Sequence, residues 1–186
     1  MKTARPPLLR VVLIGPECTG KTWLARELAE HYQVPWSPEF ARAFVEEHPR
    51  PVTYEDVEAI GLGQLEGERR AVAAARRARS RLVIHDTDLV STMVYSRHYY
   101  GDCPAWIVQR AMERRAGLYL LHEIDVPWSP DGYQRAEPER REALRDRFHA
   151  TLLYLGVPVA MIAGAWSERR RRAVAAIDTA LGSAVR

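Results

Sequence analysis

The chain has 186 residues, enough for one domain with a sizeable core. Hydrophobic residues make up 47% and charged residues 27%, the balance of an ordinary soluble globular domain, and no segment approaches membrane-spanning length. A net charge of +3 suits an anionic ligand such as a nucleotide and does not demand nucleic acid. Two cysteines, Cys18 and Cys103, show neither metal-ligand spacing nor a disulfide framework, which fits a reducing cytoplasm. Arginine carries the positive charge: the only lysines are Lys2, in the tail, and Lys21.

From the N-terminus, Leu8 to Ile14 is a continuous apolar, β-branched run, expected as a strand buried on both faces. Gly15 to Lys21 is a loop, and Thr22 to Gln33 has apolar residues at helical spacing. Val34 to Ser37 reads as a short strand, and Pro38 opens a helix that ends before Pro49. Thr53 and Asp56 form a capping arrangement for a long helix reaching about Ala78. Gly61, Gly63 and Gly67 interrupt that helix at about 1 kcal/mol each, so close packing or ligand approach is expected there. Its run ERRAVAAARRARSR reads as a solvated face and not as a nucleic-acid site.

Arg81 to His85 is a second buried-type strand, ending in Asp86-Thr87-Asp88. Helices follow over Leu89 to Tyr100 and Pro104 to Ala116, then a strand over Leu118 to His122. A Pro/Gly-rich loop covers Val126 to Arg135, inside a lid region of about residues 126–141. Pro138 to Leu155 is an amphipathic helix, Val157 to Ile162 a strand, and Ser167 to Leu181 a final helix. Strands alternate with helices, which predicts an α/β fold: a three-layer α/β/α sandwich with a parallel sheet of about five strands. Residues 1–186 are expected to form a single domain.

Gly15-Pro16-Glu17-Cys18-Thr19-Gly20-Lys21-Thr22 matches G-x-x-x-x-G-K-[ST] in full, between a strand and a helix. Backbone N–H groups of such a loop wrap a β-phosphate, and the helix N-terminus adds its positive end. Lys21 is then expected to reach the β- and γ-phosphates and the Thr22 hydroxyl to ligate Mg²⁺. Cys18 sits at a variable loop position, either a redox-sensitive thiol or a small filler residue.

A GTPase would need an N-K-x-D motif, and no lysine follows Lys21 to supply one. A motor or AAA-type ATPase would usually need more chain, so small nucleoside and nucleotide kinases fit best. They need a carboxylate near the acceptor hydroxyl, an acidic residue for metal and an arginine-bearing lid. Glu39 follows the second strand and is expected to face the loop across the crevice, although a helix-start carboxylate is the plainer alternative. Asp86 and Asp88 follow the third strand; one is expected to serve Mg²⁺ through water and the other the substrate hydroxyl. Arg135, Arg140 and Arg141 supply a lid.

"GPECTGKT", "PEFAR", "IGLGQLEGE", "HDTDLVST", "DVPWSPDG" and "IAGAWSERRRRA", in this order, resemble the ribosylnicotinamide kinase domain of NadR-type proteins. The P-loop is generic; the other motifs in this order are more specific. One departure is visible: the family commonly has arginine two residues after Asp-Gly, whereas Gln134 stands here and Arg135 comes one later. The resemblance implies transfer of the ATP γ-phosphate to the 5′-hydroxyl of nicotinamide riboside. Lys21, Glu39, Asp86 and Arg135 are then the catalytic candidates, with Thr22 and Asp86 at Mg²⁺.

Gly15, Glu17, Cys18, Thr19, Gly20, Lys21 and Thr22 would hold ATP, with Arg140 from the lid. Trp166 would join them, in the segment where related kinases place the adenine. A flat, cationic nicotinamide ring suits aromatic faces, and Trp36 and Tyr99 or Tyr100 are candidates, with Trp36 reading equally well as a core residue. Glu39, Arg42, Asp88 and Gln64, with Glu68 one turn on, would complete the acceptor pocket. No H-x-G-H adenylyltransferase motif occurs, so the resemblance implies a stand-alone kinase module or partner activities on other chains. A kinase for another nucleoside and a P-loop ATPase switch are the alternatives, and the oligomeric state stays open.

Overall fold

The structure is a computed structural model and describes residues 7–127 and 138–183. Five parallel strands stand in the order β2-β3-β1-β4-β5. They are β1 (Leu9–Ile14), β2 (Trp36–Ser37), β3 (Leu82–Asp86), β4 (Leu118–His122) and β5 (Val159–Ile162). β1 lies at the centre, with Leu13 beside Asp86 of β3 and Leu120 of β4.

Side chains alternate across a strand, so β1 feeds two layers. Val11 and Leu13 pack with Leu24 and Leu28 of α1 (Lys21–Tyr32) and Ile177 of α7 (Trp166–Ser183). Val12 and Ile14 pack on the other side, where α3 (Val57–Arg77), α4 (Leu89–Tyr100), α5 (Ala105–Glu113) and α6 (Pro138–Leu155) supply Leu65, Met93, Ile107 and Phe148. Each such fully buried side chain contributes about 1.5–3 kcal/mol. α2 (Phe40–Glu47) lies against α3 beside β2.

Proline accounts for the shortened strands. β2 begins at Trp36 and not Val34, because Pro35 has no N–H for the ladder and offers only its carbonyl, to the Ile84 N–H at 3.3 Å. Likewise β5 starts after Pro158. Ahead of α3, the Thr53 N–H donates to Asp56 Oδ2 at 2.9 Å, and Arg50 donates to both oxygens of Asp56. This cap opens a short 3₁₀ turn, Tyr54–Asp56, that runs into α3. Two of the three α3 glycines are required by packing: a Cβ on Gly63 would lie 2.2 Å from the Phe40 ring, and one on Gly61 2.8 Å from Ile107. Gly67 has ordinary room, and nothing in the structure explains it.

Asp88 caps α4. Its Oδ1 accepts from the Val90 and Ser91 N–H groups, and its Oδ2 accepts from the Tyr119 hydroxyl at 2.8 Å. The Asp88–Tyr119 bond therefore fixes the helix that will line the site to the centre of the sheet. Asp88→Ala removes a cap and leaves the buried Tyr119 hydroxyl without an acceptor for its proton, and is expected to cost about 2–4 kcal/mol in urea unfolding. Asp88→Asn keeps the cap and should lose less than half of that.

Candidate active site

All five strands run the same way, so their C-terminal ends open into one crevice, and the loop after β1 lies in its middle. The loop adopts left-handed backbone at Gly15 (φ 135), Cys18 (φ 55) and Gly20 (φ 80). At Gly15 only glycine fits: a Cβ would come within 2.9 Å of the His122 carbonyl oxygen. Gly20 carries the Trp166 ring, which a Cβ would meet at 2.3 Å, so Trp166 roofs the loop from the start of α7. Trp23 packs beside that ring at 5.1 Å. Lys21 is buried and its ammonium donates to the Pro16 carbonyl at 2.7 Å, which draws the only lysine beyond the tail across the loop.

Asp86 stands on the α1 face of β3. The Thr22 hydroxyl donates to its Oδ2 at 2.6 Å, while its buried Oδ1 has no partner. Mg²⁺ binds few protein oxygens and takes the rest of its shell from water and phosphate, so this pair fits it. Among the described residues no group of three His, Cys, Asp or Glu could enclose a metal.

Glu39 occupies the N-cap position of α2, yet its side chain makes no capping bond. It lines a cavity of about 340 Å³ beside the loop instead. Burial first, then repulsion from Asp86, pushes its carboxyl up to about 7, against the pull of Lys21 and Arg42. Arg42 itself is exposed on the first turn of α2 and does not line the cavity. Glu17 faces the same space from the loop and accepts a hydrogen bond from Tyr99 at 2.8 Å. α4 supplies a wall of tyrosines: Tyr95 and Tyr99 lie parallel, 6.2 Å apart, and Tyr100 adjoins them. The Tyr95 hydroxyl also donates to the Gly15 carbonyl at 3.0 Å, tying wall to loop.

Gln64 lines the cavity too. Its carbonyl accepts from the Phe40 N–H, and its amide donates to the Thr87 carbonyl. Both ends are thereby spent holding the turns that carry Glu39 and Asp86.

Besides Arg42, three expected acceptor residues lie elsewhere. Trp36 pairs with Ile84 on the α1 side of the sheet, so strand alternation turns it away from the cavity, and the Arg26 guanidinium lies 5.8 Å from its ring centre. Asp88 is taken up by its cap and by Tyr119. Glu68 shares a face with Gln64 but is sealed beneath the cavity, paired with Arg10 and Arg114 at 3.4 and 3.3 Å. Of the lid residues, Arg135 lies outside the described residues. Arg140 is exposed at the start of α6, and its charge reaches Tyr99.

Sequence reasoning missed Tyr95, one turn before Tyr99, whose helical spacing was the available signal. It also missed His122 and Arg169, both fully buried against the loop. No local pattern marks either.

A family model described as an AAA domain matches residues 10–169. The chain belongs to this AAA-domain family. Length alone therefore does not set it apart from AAA proteins, and the chemistry has to be read from the site. Over 126 residues it is 29% identical to the trifunctional NAD biosynthesis/regulator protein NadR of Salmonella typhimurium. That match covers 66% of this chain and 30% of the relative, so the chain spans under a third of the longer protein. A crystal structure of NadR in complex with NR superposes with TM-score 0.74 at 22% identity, over 94% of this chain and 50% of that one. NadR in complex with NAD and AMP-PNP gives 0.74 at 23% identity, over the same shares, 94% and 50%. The resemblance to NadR-type domains thus extends from motifs to fold. Among the described residues, no helix is long and apolar enough to cross a membrane.

Gly15→Ala forces a side chain into a positive-φ position against the backbone of His122. It is expected to weaken ATP binding at least tenfold in calorimetry and to cost about 1–3 kcal/mol of stability.

Proposed function

We propose that the protein is an ATP-dependent kinase that phosphorylates the 5′-hydroxyl of nicotinamide riboside, giving nicotinamide mononucleotide. The observation that carries this reading is the cavity beside the phosphate loop. It joins a tyrosine wall to two carboxylates, Glu17 and Glu39, within reach of the loop that holds Lys21. A flat cationic ring suits such a wall, and carboxylates offset its charge and accept from ribose hydroxyls. The match to NadR proteins, one of them in a structure described as a complex with NR, supports the same acceptor.

ATP lies with its phosphates in the loop and its base toward Trp166. Lys21 moves from the Pro16 carbonyl to the phosphates, where its charge follows the γ-phosphoryl group in flight. Thr22 and Asp86 would hold Mg²⁺, which neutralises charge on the phosphate oxygens when bound. Glu39 orients the 5′-hydroxyl and takes its proton as that oxygen bonds to the γ-phosphorus and ADP leaves. The transition state is loose, so orientation contributes more than basicity. Arg140, at the start of α6, and Arg135 are the arginines proposed to neutralise phosphate charge.

A coupled ADP-release assay with a panel of nucleosides tests the acceptor, and strong stimulation by nicotinamide riboside is expected. Stimulation by a different nucleoside alone would transfer the reading to that nucleoside. Slow hydrolysis indifferent to every acceptor would point to an ATPase switch.

Lys21→Ala is expected to lower phosphoryl transfer by several orders of magnitude, because charge stabilisation supplies most of the catalysis. Glu39→Gln should leave ATP affinity within about twofold and cut transfer by about 10²-fold or more. Glu39 accepts a proton only when ionised, and its carboxyl is raised to about 7. In the wild type, kcat/KM should therefore rise with pH through about 7 and level off above it. A profile that is flat between pH 5.5 and 8.5 would remove Glu39 from this role.

A further inference from the structure

The proposed nucleotide site depends on backbone N–H groups aimed at phosphate, and something must aim them. The Thr19 carbonyl has two buried donors behind it. His122 Nδ1 lies 2.9 Å from this oxygen and Arg169 Nη1 lies 3.4 Å from it. The two nitrogens are 3.5 Å apart, converging on one acceptor. We infer that His122 and Arg169 are positioning residues of the phosphate loop: they hold the Thr19–Gly20 peptide so that the Gly20 N–H faces the phosphates.

The argument is geometric. The described chain has no cis peptide, and in a trans peptide the C=O and N–H point in opposite directions. A carbonyl drawn outward toward β4 and α7 therefore turns the next N–H into the concave side of the loop. The carbonyl only accepts, so His122 must carry its proton on Nδ1. Burial pushes this imidazole down to about 3, so the ring stays neutral through the working range. The backbone of His122 also packs against Gly15, so one residue contacts the first glycine of the loop and holds the Thr19–Gly20 peptide near its end.

Arg169 is fully buried and rigidly placed. Its Nε donates to the Gly164 carbonyl at 2.9 Å, and its remaining donors reach the Ile162 and Glu123 carbonyls, both at 3.2 Å, and the Asp125 carboxylate. A planar fork satisfies all of these at once, which lysine cannot do. The ends of β4 and β5 and the phosphate loop are thereby joined through one guanidinium.

This inference rests on the nucleotide reading but not on the acceptor, so its test measures ADP binding and not transfer. In His122→Asn the amide nitrogen takes the place of Nδ1; in His122→Gln it takes the place of Nε2. Both are polar, of similar size, and checked for folding by circular dichroism, with binding measured in the absence of urea, where each is folded. ADP affinity by calorimetry is expected within about twofold of wild type for H122N and about tenfold weaker for H122Q, the worth of one hydrogen bond. R169K keeps the charge without the fork and should weaken ADP by about fivefold or more. Equal ADP affinities in H122N, H122Q and wild type, or unchanged affinity in R169K, would overturn the inference while leaving the kinase reading intact. Failure of the wild type to bind ADP would overturn both.

Discussion

Parallel pairing of β1 with β3 and β4 is the constraint on which the site depends. It brings the C-terminal ends of three neighbouring strands to one edge, so that three otherwise distant residues meet. Asp86 leaves β3 beside Leu13, His122 ends β4 one residue past Ile14, and the loop starts at Gly15 between them. Antiparallel pairing would send Asp86 to the opposite edge. The apolar run of β1, buried on both faces, holds the central place that makes this possible. Gly15 then lets the chain turn away at once, against the backbone of β4.

Desolvation sorts the acidic residues into roles. Glu39, Glu68, Asp86 and Asp88 are all raised by burial, yet their partners differ. Asp88 is consumed by two backbone N–H groups and a tyrosine, and Glu68 is compensated by two arginines. Neither of these two lines the cavity. Asp86 keeps one bare oxygen next to Thr22, and Glu39 makes no cap bond at the start of its helix. A buried carboxylate oxygen without a partner, such as Asp86 Oδ1, is suited to binding a cation, and its incomplete pairing is a stability cost that bound ligand offsets. The tyrosine wall is tied to the loop: Tyr95 bonds to the carbonyl of Gly15 and Tyr99 to Glu17, so hydrogen bonds join the cavity to the phosphate loop.

Local chemistry alone reached a good part of this. The glycine spacing, Lys21 and Thr22 define the phosphate loop, because short-range backbone geometry dictates which residues can stand there. The run of strand and helix periods implies a parallel five-stranded sheet, and the sheet has that form. Thr53 and Asp56 announce their cap, since a capping box needs only four consecutive residues. The positions of Glu39 and Asp86 beside the crevice were legible, because Glu39 stands two residues beyond β2 and Asp86 ends β3, and both strand ends must face it.

Only the tertiary structure decided the rest. Whether Trp36 faces the cavity depends on which side of the sheet β2 presents, and its pairing with Ile84 turns it toward α1. Asp86 and Asp88 look equivalent in the sequence; the start of α4 and the distant Tyr119 separate them. His122 and Arg169 meet at Thr19 across 103 and 150 residues of chain, and no local pattern encodes that meeting. Sequence by itself determined which backbone would cradle a phosphate, because that is a property of consecutive residues. The packing of β4 and α7 decided what aims the cradle, because long-range contacts exist only once the sheet has formed.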